Sequence, residues 1–190
     1  MSVWSDRDYF ASNGLATPFD VENVNPASLD LRLGDQIRVP NPVWDLLSES
    51  DLYHMIDDGS IRNVRLWSEP IQFQSFWLMP QGKGVSFVLA HSLELINMPD
   101  DCISLLFSKS STGRIGLEHL HAGLGDPGWH DSSWTWELHN VAPWPIELVA
   151  GKRLMQQVMI KMTSAPLRTY KETGRYNGDT GPTPAKESHT

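Results

Sequence analysis

The sequence predicts one mainly β domain with a distorted barrel or jelly-roll-like architecture. Apolar and polar residues alternate with a period of two in many short segments, such as 29–33 and 134–138. Proline and glycine separate these segments at short intervals, which is typical of β-sandwiches and barrels. The chain has 190 residues, of which 40% are hydrophobic, so we expect a single domain with one core.

The elements follow in order from these patterns. Ser5 and Asp8 have the spacing of a capping box and Gly14 offers a stop, which predicts a helix over residues 6–13. A second helix is predicted over 45–57. The final stretch from Gly174 is rich in Gly, Pro, Thr and Ser, which is typical of a mobile tail. Predicted strands centre on residues 29–33, 37–39, 64–66, 71–73, 87–89, 93–95, 103–107, 134–138, 146–148 and 154–162.

Charge and cysteine content exclude several classes of function. The formal net charge of -8 argues against a broad nucleic-acid surface, which needs an excess of basic residues. Cys102 is the single cysteine, so an internal disulfide and a multi-cysteine zinc site are both excluded. No apolar run approaches the roughly 20 residues of a membrane span, and the first residues do not resemble a signal peptide. We therefore expect a soluble cytoplasmic protein.

The acidity is unevenly distributed along the chain. Residues 1–100 hold 14 acidic and 6 basic side chains, whereas residues 101–190 are neutral overall. Because a local cluster of cations can bind a compact anion on an acidic protein, the basic residues of the second half remain available for one.

A polar segment, SKSSTGRIGL at 108–117, directly follows a predicted strand. Lys109, Ser110, Ser111 and Arg114 bring hydroxyl groups and two cations into one turn, which is a plausible phosphate cradle. An ordinary serine-rich turn explains the segment equally well.

Strand 134–140 carries a carboxylate between tryptophans. Alternation places Thr135, Glu137 and His139 on the face opposite Trp134 and Trp136. Partial desolvation raises the pKa of such a carboxyl group toward the range of a general acid or base. The alternative is a strand glutamate that faces solvent.

The segment HLHAGLGDPGWH at 119–130 allows two interpretations. His119, His121 and His130 could ligate a metal, as in jelly-roll metalloenzymes. Alternatively, the segment is a glycine-rich loop in which Asp126 accepts a hydrogen bond from a ligand hydroxyl and Trp129 covers the ligand.

Taken in this order, the segments resemble the deoxycytidine triphosphate (dCTP) deaminase branch of the dUTPase superfamily. The resemblance covers most of the chain, and its segments are SDRD (5–8), NPASLDLRLG (25–34), MPQGKGVSFVLAHSLELINMP (79–99), SKSSTGRIGL (108–117), HAGLGDPGW with the strand of Glu137 and Asn140, PIELVAGKRLMQQ (145–157) and YKETGRYNGDTGPTP (170–184).

The resemblance implies a dUTPase-like β-clip fold, with residues 1–190 as one domain and 171–190 as a flexible tail that closes over the triphosphate. It implies a homotrimer with active sites between subunits. The implied reaction is hydrolytic deamination of dCTP to dUTP and ammonia, with Mg²⁺ on the triphosphate and no metal held by protein side chains. The single cysteine agrees, because zinc deaminases need a P-C-x-x-C motif.

The resemblance also implies roles for individual residues. Glu137 matches the base that activates water for attack on C4, and Ser110 and Arg114 match residues that position this water. The matching substrate contacts are Lys109, Ser111, the Ala122 carbonyl, Asp126 at the sugar 3′-hydroxyl, Trp129, Tyr170 and Arg175.

The chain departs from the family pattern around the base and sugar. Lys109 replaces a usual arginine, Asp179 a usual glutamine and Gly125 an aliphatic residue, His121 is unusual, and the link at 130–133 is longer. A C5-modified dCTP is therefore a second candidate substrate. The sequence is also compatible with a dUTP pyrophosphatase, with a bifunctional enzyme that yields dUMP, and with a nucleotide-binding regulator without turnover.

Overall fold

The computed structural model describes residues 1–12, 14–41, 66–120 and 122–186. The strands in these residues are β1 (Ser2–Val3), β2 (Ala16–Thr17), β3 (Val24–Asn25), β4 (Ser28–Arg32), β5 (Gln36–Ile37), β6 (Ile71–Gln72), β7 (Ser75–Leu78), β8 (Phe87–Ile96), β9 (Cys102–Ser108), β10 (Leu117–His119), β11 (Leu124–Gly125), β12 (Ser132–Asn140), β13 (Ile146–Val149) and β14 (Arg153–Lys161). The helices are α1 (Asp6–Ala11), α2 (Ser110–Arg114), α3 (Tyr170–Thr173) and a 3₁₀ turn (Val21–Asn23).

Two antiparallel sheets form most of the fold. One has the order β11-β9-β14-β4-β3, with β1 also paired to β14, and the other has the order β10-β12-β8-β2. Among the described residues, the pairs β13-β7 and β5-β6 form two further small sheets. Isolated bridges from Leu33 to Ser92 and from Arg38 to Leu89 connect the chain after β4 to β8. The mainly β, barrel-like fold predicted from the sequence is confirmed.

Helix α1 begins as predicted and ends two residues earlier. The Ser5 backbone N–H donates to the Asp8 carboxylate at 2.8 Å, which completes the capping box. Tyr9 is fully buried, and its hydroxyl donates to the Gln157 carbonyl at 3.0 Å while it accepts from the Met159 N–H at 3.0 Å. The helix is thereby attached to β14.

The longer predicted strands are present, and two of the predicted strands form a single strand in the structure. The segments at 87–89 and 93–95 belong to the ten-residue β8, because no turn interrupts the alternation between them. In β12 the burial alternates as expected, with Trp136 and Leu138 in the core and Glu137 half-buried. The predicted helix over 45–57 lies outside the described residues, as does most of the predicted strand at 64–66.

The tail packs against the barrel in this structure. Gly181 and Pro182 are buried, so this polar stretch does contribute to packing. The Ser133 N–H donates to the Asp179 carbonyl at 2.9 Å, and the Thr183 N–H donates to the Thr135 hydroxyl at 3.0 Å. The tail therefore runs along β12, and its mobility stays a prediction.

Within the described ranges, no helix has the length and apolar character needed to cross a membrane.

Candidate active site

A cavity of about 540 Å³ lies between β12 and the tail. Strand β12 supplies one wall, the loop before and after β11 supplies a second, and the tail forms the cover. The lining residues are Trp67, Phe87, Leu89, Ala122, Leu124, Asp126, Trp129, Ser133, Trp134, Thr135, Glu137, Tyr170, Tyr176, Asp179, Thr183 and Ala185. Five of the sequence-predicted residues meet here: Ala122, Asp126, Trp129, Glu137 and Tyr170.

Glu137 reaches the cavity from the middle of β12. Its strand partner is Leu89 on β8, and its side chain is 25% exposed. Burial raises the pKa of the Glu137 carboxyl group above its ordinary value of 4.5. No lysine or arginine of the described chain forms an ion pair with it. The carboxylate is therefore suited to take up and release a proton.

His119 is the neighbour of Glu137 that sequence reasoning did not identify. Strand β10 pairs with β12 so that His119 lies opposite Leu138, and its Nδ1 comes within 3.3 Å of Glu137 Oε2. The imidazole is 3% exposed. The sequence placed His119 in a candidate metal set, and only the pairing of β10 with β12 reveals the carboxylate as its contact.

The loop at β11 brings Ala122 and Asp126 to the cavity wall opposite β12. Two glycines let this loop lie close to β9. A Cβ atom on Gly123 would lie 2.8 Å from the Leu106 carbonyl oxygen, and one on Gly125 would lie 2.2 Å from Ser104 Oγ. The unusual glycine at position 125 is therefore required by its surroundings.

Two tryptophans line the cavity together with Asp126. The rings of Trp129 and Trp134 meet edge to face with centroids 4.8 Å apart. Trp134 lies on the core face that alternation assigns to it, because its Nε1 donates to Oε1 of the buried Gln157 at 3.4 Å. Its indole also borders the cavity, so the same ring belongs to the core and to the cavity wall.

The tail covers the cavity through bonds to the long link at 130–133. Ser132 Oγ donates to the Tyr176 carbonyl at 2.8 Å and accepts from the Gly178 N–H at 2.9 Å. Asp179 lines the cavity, and its carboxylate lies 2.6 Å from Lys186 Nζ. Desolvation raises the pKa of the Tyr170 hydroxyl. The unusual link and the unusual aspartate thus both take part in holding the tail.

The remaining predicted residues do not line this cavity. Ser110, Ser111 and Arg114 lie on α2, outside the cavity wall. Lys109 forms an ion pair with the buried Asp30 of the same chain. Arg175 is exposed and donates to the Lys186 carbonyl at 3.2 Å. Within one chain, the predicted cationic residues therefore lie outside the cavity that Glu137, the predicted base, lines.

The candidate metal interpretation finds no ligand cluster in the part of the chain that the structure describes. No group of three or more His, Cys, Asp or Glu side chains there could hold a metal ion. His130 Nδ1 lies 3.0 Å from the Gly128 carbonyl oxygen. His121, the middle member of the proposed set, lies outside the described residues.

Comparison with known proteins identifies the family. The sequence profile of the dCTP deaminase-like family matches residues 5–162. The chain therefore belongs to the dCTP deaminase-like family, a family of hydrolases, as the motifs predicted.

Two curated relatives carry the same name. The protein named "dCTP deaminase, dUMP-forming" from Rhodococcus erythropolis is 37% identical over 192 residues, which are 96% of this chain and 94% of the relative. Its namesake from Mycolicibacterium smegmatis is 37% identical over 191 residues, with the same two shares.

The fold also matches a solved structure. The 2′-deoxycytidine 5′-triphosphate deaminase from Agrobacterium tumefaciens superposes with a TM-score of 0.58 at 22% identity. The match covers 83% of this chain and 47% of that one. It confirms the fold.

Proposed function

We propose that this protein deaminates dCTP and releases dUMP. The carrying observation is the desolvated Glu137 carboxyl group on the cavity wall, where no lysine or arginine of the described residues neutralises it. The overall reaction takes dCTP and two waters to dUMP, ammonia and pyrophosphate. The sequence alone favoured dUTP as the product. The "dUMP-forming" name of the relatives supports the bifunctional reading instead.

The deamination step uses Glu137 as a proton shuttle. The carboxylate takes a proton from water, and the water oxygen forms a bond to C4 of cytosine. The proton then moves to the amino group, the C4–N4 bond breaks, and ammonia leaves. The remaining proton of the added hydroxyl group transfers to N3, which gives the uracil base. The raised pKa suits both transfers, because the group must accept a proton and then return it. His119 Nδ1, at 3.3 Å from Glu137 Oε2, is the imidazole nitrogen placed to orient this carboxylate.

The loop opposite β12 positions the nucleoside. The Ala122 carbonyl accepts a hydrogen bond from the attacking water or the amino group. Asp126 accepts one from the sugar 3′-hydroxyl, and Trp129 covers the sugar. All three residues line the same cavity as Glu137. The cytosine ring thus lies between this loop and the Glu137 carboxylate.

The triphosphate needs cations that the cavity of one chain does not supply. The described lining includes three carboxylates, Asp126, Glu137 and Asp179, and no lysine or arginine. We therefore assign residues of α2 from a second copy in a homotrimer to the site, where Ser111 contacts the phosphates and Ser110 and Arg114 position the attacking water. Lys109, Tyr170 and Arg175 are the further phosphate contacts that the resemblance implies.

Mg²⁺ fits this site as an ion carried by the substrate. Asp179 is paired with Lys186, and the described residues offer no cluster of metal ligands, so the phosphate oxygens are the donors that suit the ion. When bound, Mg²⁺ neutralises phosphate charge. Asp126 orients the water that attacks the α-phosphorus, and the α–β phosphoanhydride bond breaks to release pyrophosphate.

Product analysis tests this proposal. The protein is incubated with Mg²⁺ and, separately, dCTP, dUTP and a C5-methylated dCTP, and nucleotides and ammonia are quantified over time. We expect dCTP to give dUMP and ammonia in equal amounts. Accumulation of dUTP would establish a deaminase without pyrophosphatase activity. Tight nucleotide binding with no product would establish a regulator and overturn the proposal.

A mixing experiment tests the shared site. Glu137→Gln and Arg114→Gln each inactivate a homotrimer in which every site needs both residues. Co-refolding the two variants places both native residues in some of the sites, so we expect partial recovery of activity. No recovery in mixed trimers verified by differential tags would show that one chain supplies both residues.

A further inference from the structure

The wall beside Asp126 has a chemistry that the reaction itself does not require. Trp129 and Trp134 present indole rings to the cavity that this carboxylate also lines. Their exposed fractions are only 7% and 5%, so the wall is rigidly packed.

The polar atoms of both indoles already donate to protein acceptors. Trp134 Nε1 donates to Gln157 Oε1 at 3.4 Å in the core. Trp129 Nε1 donates to the Tyr176 carbonyl at 3.2 Å. Each indole has only one polar atom, so the rings offer carbon alone to a ligand on this side.

Trp134 has room at this place because residue 125 is glycine. A Cβ atom at Gly125 would lie 3.1 Å from Trp134 Cζ2. Asp126 lines the same cavity. Trp129 connects the two residues, because its backbone N–H donates to the Asp126 carbonyl at 3.2 Å and its ring meets that of Trp134 with centroids 4.8 Å apart.

We infer that Trp134 is a specificity-determining residue that selects 2′-deoxyribose over ribose. The inference rests on the proposed function, because it uses Asp126 as the anchor of the 3′-hydroxyl. The neighbouring C2′ then packs against the indole wall. A 2′-hydroxyl there would lose water and meet only carbon, which is unfavourable. An apolar wall of this kind rejects an added hydroxyl by about 10²-fold.

The test compares dCTP with CTP. For the wild-type protein we expect kcat/KM for dCTP to exceed that for CTP by about 10²-fold. Trp134→Phe and Trp134→Leu open space beside C2′, so the ratio should fall at least about tenfold. Trp136→Phe is the matched control, because this indole is fully buried on the same strand and does not line the cavity. It should lower stability and leave the ratio unchanged.

A binding measurement separates this inference from the proposed function. Calorimetry with Glu137→Gln gives the ratio of dissociation constants for dCTP and CTP without turnover. If the wild type binds dCTP selectively but deaminates nothing, the proposed function fails and the inference stands. If folded Trp134→Phe keeps the wild-type ratio within about threefold, or the wild type does not discriminate, the inference is overturned. Should Trp134→Leu fail to fold, Trp134→Phe decides.

Discussion

Two glutamates on neighbouring strands show how one kind of residue serves two purposes. Glu94 on β8 and Glu137 on β12 both lie within strands that pair with each other, and burial raises the pKa of both carboxyl groups. Glu94 is 2% exposed. Its carboxylate accepts hydrogen bonds from Arg32 Nε at 2.6 Å and from the Arg32 backbone N–H at 2.9 Å. Glu137 borders a cavity and has His119 as its close polar neighbour.

The difference teaches that burial alone does not make a carboxylate catalytic. The donors of Arg32 favour the charged form of Glu94 and oppose the effect of burial, so loss of one partner would leave the other buried without its opposite charge. Glu137 has no such cation among the described residues, and the cavity gives water access to it. We therefore expect substitutions at the two positions to separate activity from stability.

The largest expected effect is that of Glu137→Gln on turnover. Glutamine keeps the shape of the side chain but cannot shuttle a proton, so kcat for ammonia release should fall about 10²–10⁴-fold. A coupled ammonia assay measures the rate, and elution volume verifies that the assembly is unchanged. Wild-type activity in the folded variant would remove Glu137 from the mechanism.

The second effect is a loss of stability in Glu94→Gln. Removing one partner of a buried ion pair costs about 3–5 kcal/mol, and the cost is lower here because 22% of the Arg32 side chain remains exposed. We expect a loss of about 2–3 kcal/mol in the free energy of unfolding, measured by chemical denaturation at fixed protein concentration. Activity per folded molecule should stay at the wild-type level. A large drop in activity with unchanged stability would show that Glu94 serves catalysis and not the stability of the fold.

The contrast also shows what the sequence could and could not predict. Alternation alone placed Glu137 on the face opposite Trp136, because strand periodicity is a local property. The capping box of Ser5 and Asp8 is local as well. The contact of His119 with Glu137 depends on which strands pair, and local pattern does not determine pairing between distant segments.

The tail shows a difference with the same physical origin. The tail is poor in apolar side chains, yet backbone groups of Tyr176, Gly178 and Asp179 bind the link at 130–133 and β12. Hydrogen bonds of the backbone leave no trace in hydrophobicity, so composition predicted only mobility there.

The third effect concerns the neighbour of Glu137. In His119→Phe the carboxyl group faces carbon where it faced imidazole Nδ1, which raises its pKa further. The acid limb of the profile of kcat/KM against pH should therefore move to higher pH, and kcat should fall by about tenfold. His139→Phe is the control, because this half-buried histidine also lies on β12 but does not line the cavity. If the acid limb moves equally in His119→Phe and His139→Phe, His119 has no specific effect on the pKa of Glu137.

The smallest effect is a pH-dependent difference in stability between wild type and Glu137→Gln. The folded pKa of Glu137 is raised above its ordinary value of 4.5, so between these two values the folded state holds a proton that the unfolded state has released. The stability of the wild type therefore falls as pH rises through this window and stays lower above it, whereas glutamine does not titrate. Relative to the wild type, Glu137→Gln should gain stability as the pH rises through this window. Below pH 4.5 the difference in stability between the two proteins should no longer change with pH. Denaturation of both proteins across this range measures the difference. A gap that is constant with pH would mean that Glu137 has the same pKa in both states, and the carboxylate would then lack the desolvation that distinguishes it from a surface glutamate.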